Sequence, residues 1–299
     1  MKETFICALG FFDGVHLGHG ALLSACRRLA DSQHCRAAAV TFANHPDGLV
    51  QGKVPALISS LPDRERMMKE RFAMDRVVTL PFDEALRTMD WEAFLKMLMQ
   101  DYGAIGFVCG DDFRFGYRGE GDADRLARFC DERELPCWIL REQKVDGERI
   151  SSSRIRQFIE EGSMGSAVKM LGHPYILTGT VVHGQQLGRR LGFPTANVLL
   201  PEGVAAPKYG VYVCACVING RRYAAVTNVG TRPTVGGKGI TVEPWILDFA
   251  GDLYGKEITL EFYYFLRPEK KFPDLAALQQ EIWANARETR SYLTEGGFL

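Results

Sequence analysis

The fold of this chain is decided by the stretch Gly10-Phe11-Phe12-Asp13-Gly14-Val15-His16-Leu17-Gly18-His19, which joins an apolar run to a segment with helical spacing. Residues 4–9 have the composition of a buried strand, and residues 20–30 repeat apolar side chains at the spacing of a helix face. Ligands of open α/β sheets collect at the carboxyl ends of strands, where a helix start offers free N–H groups to phosphate. Gly14 and Gly18 let the backbone approach such a ligand closely, so the stretch predicts a nucleotide site.

From this stretch to about residue 165, strand-like and helix-like segments alternate. The further predicted strands cover residues 36–42, 76–80, 105–109 and 136–140, and the predicted helices cover residues 63–72, 91–99, 122–133 and 152–161. Such alternation predicts a parallel sheet with helices on both faces. The first part of the chain is therefore expected to be an α/β domain with a Rossmann-like parallel sheet.

The pattern changes at Gly172-His173-Pro174, after which strand follows strand. The predicted strands cover residues 176–182, 211–218, 223–229, 241–249 and 258–265, and Asn219-Gly220 predicts a tight hairpin turn. One amphipathic helix closes the chain. Short strands with turn signals predict a small antiparallel β-barrel with a C-terminal helix. We expect two domains, at residues 1–172 and 173–299.

Composition and charge narrow the classes of function. The chain has 299 residues, and Lys plus Arg total 36 against 37 for Asp plus Glu, a formal net charge of −1. A protein that grips a nucleic-acid backbone carries a basic surplus, so a nucleic-acid partner is not expected. No run approaches the ~18 apolar residues of a membrane span, and the eight cysteines lack the CxxC spacing of a zinc site. We expect a cytoplasmic protein with reduced thiols that acts on small molecules, without a membrane partner.

Further polar motifs follow predicted strands or open predicted helices of the first domain. They are Thr41-Phe42-Ala43-Asn44-His45-Pro46, Gly110-Asp111-Asp112-Phe113-Arg114-Phe115-Gly116 and Ile150-Ser151-Ser152-Ser153-Arg154-Ile155-Arg156. His16 and His19 are able to donate hydrogen bonds to a triphosphate in the transition state. Hydroxyls and arginines at a helix start suit a β,γ-phosphate site. A simple helix cap would explain one histidine or one serine, but not the arginines.

These segments, in this order, resemble the FMN adenylyltransferase half of the bacterial bifunctional riboflavin kinase/FAD synthetase family, whose members are HxGH nucleotidyltransferases. The resemblance implies that FMN is adenylylated to FAD with release of pyrophosphate, and that His16 and His19 are catalytic. The implied ATP-binding set is Phe12, Asp13, Gly14, His16, His19, Asp112, Ser152, Ser153 and Arg156. The chain departs from the family pattern at Phe11, where Asn is usual, and at Ala43-Asn44, where Asp-Pro is usual.

A second candidate site lies in the predicted barrel, and it is not a P-loop, because no GxxxxGK[ST] occurs. Its central segment is Gly192-Phe193-Pro194-Thr195-Ala196-Asn197. This segment follows Gly188-Arg189-Arg190. In an extended segment the side chains of Thr195 and Asn197 point the same way. A hydroxyl and an amide oxygen are hard donors that suit Mg²⁺ bound to nucleotide phosphates. The alternative is an ordinary loop with a turn proline.

Three later motifs extend this site: residues 207–212, Asn228-Val229-Gly230-Thr231-Arg232-Pro233-Thr234 and residues 241–249. Together the segments resemble the riboflavin kinase domain of the same family from about residue 172 to residue 293. The resemblance implies that Thr195 and Asn197 hold Mg²⁺ with ATP, and that Glu243 takes the proton of the terminal ribityl hydroxyl. The implied ATP- and flavin-binding set is Gly188, Gly192, Pro194, Thr195, Asn197 and Asn228.

Other interpretations remain for single residues of the second site. Glu243 would otherwise be an exposed strand residue paired with a lysine. Trp245 either stacks on the flavin or belongs to the core, and the core is favoured.

The resemblance as a whole implies an ATP-dependent enzyme that makes FMN from riboflavin and FAD from FMN. One alternative is a riboflavin kinase whose first half is impaired, which Phe11 and Asn44 would support. Another is a flavin-binding regulator without either activity. A regulator has no need of a general base, so the joint presence in the sequence of His16, His19, Thr195, Asn197 and Glu243 argues against it.

Overall fold

The computed structural model describes residues 3–50, 52, 54–184, 188, 192–234 and 237–299. The chain forms two compact units. The first comprises Met1–Ala56 and Leu61–Ser152, and the second comprises Leu57–Ser60 and Ser153–Leu299. This grouping describes compactness alone, and the functional boundary between residues 172 and 173 stays a prediction.

The first unit is built on a parallel sheet, as predicted. Within the described residues its strands are β1 Phe5–Leu9, β2 Arg36–Phe42, β3 Arg76–Leu80, β4 Ala104–Gly110 and β5 Cys137–Leu140. They lie in the order β3-β2-β1-β4-β5, with every pairing parallel. The order reverses between β1 and β4, so the crevice that binds ligands in such sheets lies at the carboxyl ends of these two strands.

Helices connect and cover these strands. They are α1 Leu17–Ser32, α2 Asp47–Val50, α3 Leu61–Phe72, α4 Glu84–Thr88, α5 Trp91–Tyr102 and α6 Ala123–Asp131, and a small hairpin follows with β6 Lys144–Val145 and β7 Glu148–Arg149. The carboxylate of Asp90 caps α5, because it accepts the N–H groups of Glu92 and Ala93. Apolar residues of α5 and α6 pack on one face of the sheet in a core that includes Phe107 and Leu126.

The second unit is a nearly closed antiparallel barrel, as predicted. Its described strands are β8 Tyr175–Thr180, β9 Val198–Leu199, β10 Gly210–Ile218, β11 Arg221–Thr234, β12 Gly237–Ile246 and β13 Glu257–Arg267. They pair in the order β8-β13-β10-β11-β12-β9, and a bridge between Val181 and Val198 brings the two ends together. The predicted hairpin turn is confirmed: Asn219 and Gly220 join β10 to β11 with φ values of 50° and 78°.

Three helices accompany the barrel along the described chain: α7 Ser152–Glu161, α8 Met164–Leu171 and α9 Leu275–Glu295. α9 packs on β10 and β11, and α8 packs on β8 and β13. α8 was not predicted, because eight residues give too short a run for helical periodicity to be recognised. A short segment from earlier in the chain also belongs here, since the backbone of Leu57 bonds to Gly203 and to Ala205, at 2.7 Å each.

We expect a fragment that begins at Ser153 to be more stable than one that begins at His173. The shorter fragment loses α7 and α8, and the side chains Met164, Ala167, Met170 and Leu171 of α8 are buried. Burial of one large aliphatic side chain contributes about 1.5–3 kcal/mol, so several kcal/mol should be lost. Urea unfolding of the two fragments measures the difference. Equal unfolding midpoints would contradict the stabilising role of α8.

Candidate active sites

The histidine motif forms a strained turn at the carboxyl end of β1. Phe12 and Val15 adopt positive φ angles of 56° and 41°, and Gly14 between them has a φ of 71°. Non-glycine residues in this region cost roughly 1–3 kcal/mol each and persist only where the surrounding structure holds them. The turn reverses the chain within a few residues and places the N-terminus of α1 at the ligand-binding edge of the sheet.

His16 and His19 lie together at the start of α1, as the motif predicted. Their rings stack with centroids 3.5 Å apart, and Nδ1 of His16 accepts the backbone N–H of His19 at 3.2 Å. A neutral imidazole with an accepting Nδ1 carries its proton on Nε2. Nδ1 of His19 is buried and has no hydrogen-bond partner among the described residues.

The protein holds His19 in its neutral form. Burial lowers the pKa of His19 well below its ordinary value, and the neighbouring His16 and the guanidinium of Arg64 lower it further. A neutral imidazole still carries one N–H donor, and its unpartnered nitrogen is costly to bury without a ligand. Donation of hydrogen bonds from this pair to an anion stays a prediction, and so does the catalytic role of the pair.

One residue of the serine motif, Ser152, forms a hydrogen bond to the same turn. Oγ of Ser152, at the start of α7, donates to the backbone carbonyl of Asp13 at 3.4 Å, and Asp13 is itself buried. Ser153 and Arg156 lie further along α7, in the second unit. Their contacts with ATP, like those of Phe12 and Gly14, stay predictions.

Asp112 lies on the surface near the end of β4, where it forms an ion pair with Arg149. Arg149 also pairs with Glu142 at 3.0 Å. Exposed ion pairs contribute only about 0–1 kcal/mol, so a polar ligand group would compete with them easily. The predicted contact of Asp112 with adenosine or flavin stays a prediction.

The two departures from the family pattern both have structural contacts. The ring of Phe11 lies edge-on to His45, with centroids 4.7 Å apart, and under the guanidinium of Arg64 at 4.6 Å. The side chain of Asn44 donates to the carbonyl of Phe82 at 2.8 Å and accepts its N–H at 2.9 Å. Each substituted residue thus fixes loops at the carboxyl edge of the sheet.

The second site is a cavity of about 710 Å³ in the barrel unit. Gly188, Thr195, Asn228 and Glu243, all predicted site residues, line this cavity together. Aromatic and aliphatic side chains form much of the remaining wall: Phe193, Trp245, Phe272, Leu278 and Ile282. An apolar cavity with a few converging polar groups is the usual form of a small-molecule site.

Backbone hydrogen bonds fix the segment from Thr195 to Asn197. The N–H of Ala196 donates to the carbonyl of Pro244 at 2.9 Å, and the carbonyl of Asn197 accepts the N–H of Val182 at 2.8 Å. The side chain of Asn197 is buried, and its Oδ1 has no hydrogen-bond partner among the described residues.

A buried acceptor without a partner costs roughly 1–3 kcal/mol, which a bound cation would offset. The oxygens of Thr195 and Asn197 therefore fit a magnesium ion. Gly192 and Pro194 precede them in the same loop, and their substrate contacts stay predictions. Arg189 and Arg190 of this motif lie outside the described residues.

Glu243 lies opposite Asn228 in the pairing of β11 with β12. It is half-buried and lines the cavity, and its role as the base, like the alternative of a pairing with a lysine, stays a prediction. Trp245 is buried, with its ring edge-on to Phe193 and to Trp283 at 5.1 and 5.2 Å between centroids, which confirms the core interpretation.

Sequence reasoning missed several polar residues of the cavity: Arg267, Glu269 and Asn285. Nδ2 of Asn228 donates to Oε1 of Glu269 at 3.3 Å, so the loop after β13 reaches across to β11. The charged run at residues 267–271, directly after the last strand, was the available signal.

Two features are absent from the described residues. No helix found there is both long and apolar enough to cross a bilayer. No group of three or more His, Cys, Asp or Glu side chains found there is placed to hold a metal ion. A magnesium site made of Thr hydroxyl and Asn amide oxygens contains none of these four residue types.

Family models match both halves of the chain. The model described as FAD synthetase matches residues 1–154, and the model described as riboflavin kinase matches residues 171–293. The first match contains the histidine turn and Asp112, and the second contains Thr195, Asn197 and Glu243.

Known proteins resemble the chain over nearly its whole length. The bifunctional riboflavin kinase/FMN adenylyltransferase of Listeria monocytogenes is 32% identical over 97% of this chain and 93% of its own. The protein of the same name from Pseudomonas fluorescens is 34% identical over 96% and 92%. A crystal structure described as a macrolide-efflux protein from Streptococcus pneumoniae has a TM-score of 0.86 and 29% identity, over 97% of this chain and 95% of that one. By these matches the chain belongs to the bifunctional riboflavin kinase/FMN adenylyltransferase family.

Proposed function

We propose that this protein phosphorylates riboflavin to FMN and adenylylates FMN to FAD, with Mg²⁺ and ATP used at both steps. The observation that carries the proposal is the presence of two separate sites, one in each unit. The first is the stacked pair His16 and His19 at a helix start. The second is the cavity lined by Thr195, Asn228 and Glu243. We place the protein in the cytoplasm, with small molecules as its substrates.

In the kinase step the terminal ribityl oxygen attacks the γ-phosphorus of ATP and ADP leaves. Glu243 accepts the proton of the attacking hydroxyl, because a primary alcohol is a poor nucleophile while protonated. The apolar wall of the cavity binds the isoalloxazine ring and orients the ribityl chain. Thr195 and Asn197 would hold Mg²⁺, which supplies positive charge to the phosphates when it is bound.

In the adenylyltransferase step a phosphate oxygen of FMN attacks the α-phosphorus of ATP and pyrophosphate leaves. The FMN phosphate is already anionic, so positioning and charge stabilisation suffice for this step. The side-chain N–H groups of His16 and His19, together with the N-terminus of α1, stabilise the charge that develops on the phosphates.

The direct test is to incubate the purified full-length protein with riboflavin and Mg²⁺–ATP and to separate the flavins by chromatography. We expect FMN to appear first and FAD to follow. FMN without FAD would favour the alternative of an impaired first half. A protein that binds flavin but yields neither product would be the regulator.

A variant of the proposed magnesium ligand gives a second test. Asn197→Ala removes a buried amide oxygen that fits the metal, so we expect riboflavin phosphorylation to require at least tenfold more Mg²⁺, the effect of roughly 1.4 kcal/mol in binding. Titration of the rate against Mg²⁺ measures the shift. FMN adenylylation by the same sample is the control, since it belongs to the other unit. An unchanged Mg²⁺ requirement would remove Asn197 from the metal site.

A further inference from the structure

We propose that Arg64 is a positioning residue for adenylyl transfer: its guanidinium ties the carboxyl ends of β1 and β2 together and so fixes the turn that carries His16 and His19. The inference rests on the adenylyltransferase function proposed for the first unit. Nothing in the sequence pattern singles out Arg64, which lies in the first turns of α3.

The side chain of Arg64 is completely buried and forms a bridge between two backbone carbonyls. Nη1 donates to the carbonyl of Phe11 at 2.8 Å, and Nη2 donates to the carbonyl of Phe42 at 2.8 Å. Phe11 is the second residue after the end of β1, and Phe42 is the last residue of β2. A planar fork of N–H donors is able to span two acceptors at fixed separation, whereas an ammonium group is a single point of charge.

The position of Arg64 is energetically expensive, which indicates a purpose other than stability. Burial lowers its pKa, against the opposing effects of Asp13 and Glu65. Its Nε is also buried without a hydrogen-bond partner among the described residues. Removing a cation from water costs several kcal/mol, and a well-packed apolar residue at such a site is often at least as stable.

The carbonyl that Arg64 holds lies immediately before the strained turn. Oγ of Thr41 donates to the same carbonyl of Phe11 at 2.7 Å, so this oxygen is fixed from two sides. Phe12 comes next with its positive φ, and α3 packs directly against the turn. Strained backbone relaxes unless its surroundings hold it, and a shift of 1 Å in a reacting group can cost about a hundredfold in rate.

The test uses full-length Arg64→Lys and Arg64→Met, with Arg87→Lys as the matched control. Lysine keeps the charge but lacks the planar fork that spans both carbonyls. Methionine keeps much of the volume but has neither the charge nor the N–H donors. Arg87 lies in the same unit in an exposed ion pair with Glu84. FMN adenylylation and riboflavin phosphorylation are measured on each sample, together with the folded fraction by circular dichroism.

We expect kcat for FAD formation, per folded protein, to fall 10- to 100-fold in both Arg64 variants. The KM values for FMN and ATP should change less than threefold, because Arg64 acts through the turn and does not contact the substrates. Riboflavin phosphorylation and the Arg87→Lys variant should match the wild type. A third variant, Arg64→Ala, lacks the part of the side chain that ethylguanidinium resembles. Addition of ethylguanidinium to this variant should restore part of the lost kcat.

The inference is overturned if Arg64→Lys keeps the wild-type kcat, or if the loss disappears once the folded fraction is taken into account. If the wild-type protein itself forms no FAD, the proposed adenylyltransferase function fails and this inference fails with it. If the wild type forms FAD and the variants equal it, this inference alone fails.

Discussion

FAD formation should fall roughly 100- to 1,000-fold when His16 and His19 are both replaced by alanine, the magnitude known for loss of a donor that stabilises transition-state charge. The stacked rings lie at the N-terminus of α1, and Nδ1 of His19 has no hydrogen-bond partner among the described residues. Riboflavin phosphorylation should stay near the wild-type rate, because Thr195 and Glu243 belong to the other unit. Initial rates of FAD appearance from supplied FMN give the measurement.

The double variant also removes the helix cap that His16 provides, so unfolding must be measured beside the rate. Loss of a cap costs roughly 0.5–2 kcal/mol, which lowers stability without abolishing the fold. His34→Asn, an exposed change in the same unit at a φ of 52°, is the control for histidine replacement as such. If the double variant forms FAD at the wild-type rate, the motif serves only to cap α1.

Replacement of Glu243 by glutamine should lower the rate of riboflavin phosphorylation by roughly 10²–10⁴, the range for loss of a general base. Glutamine keeps the size and the hydrogen-bonding shape of the side chain but does not accept the proton. Binding of riboflavin, followed by flavin fluorescence, should therefore be spared. FAD formation from supplied FMN should also persist.

Glu257→Gln, on the exposed start of β13, is the matched control, and it should leave the phosphorylation rate unchanged. A Glu243→Gln rate within a few-fold of the wild type would rule Glu243 out as the base. In that case Glu269, the other carboxylate that lines the cavity, becomes the residue to replace.

The predictable parts of the fold are those where a local pattern is strong. β1, β2 and β3 were predicted to within one residue, because each is an apolar run that ends in polar or turn residues. The cap at Asp90 and the turn at Asn219-Gly220 were predictable because each depends on a few adjacent residues. α2, α4 and α8 carry too few residues for a helical period to stand out.

Contacts between residues that are distant in the sequence could not be predicted. Arg64 looks like an ordinary charged residue of an amphipathic helix, yet its partners are carbonyl groups at the ends of two strands. The hydrogen bond from Asn228 to Glu269 likewise depends on how a loop folds back over the barrel. The partners of Arg64 cannot be read from residue type or spacing, since carbonyl oxygens are present at every position.

The segment Leu57–Ser60 has a consequence for biosynthesis. It leaves the ribosome early, but its backbone partners Gly203 and Ala205 are made much later. A chain that folds as it emerges completes its N-terminal part first. The sheet of the first unit is therefore expected to form before Leu57 has these two partners, and both hydrogen bonds follow only when the barrel sequence has been translated.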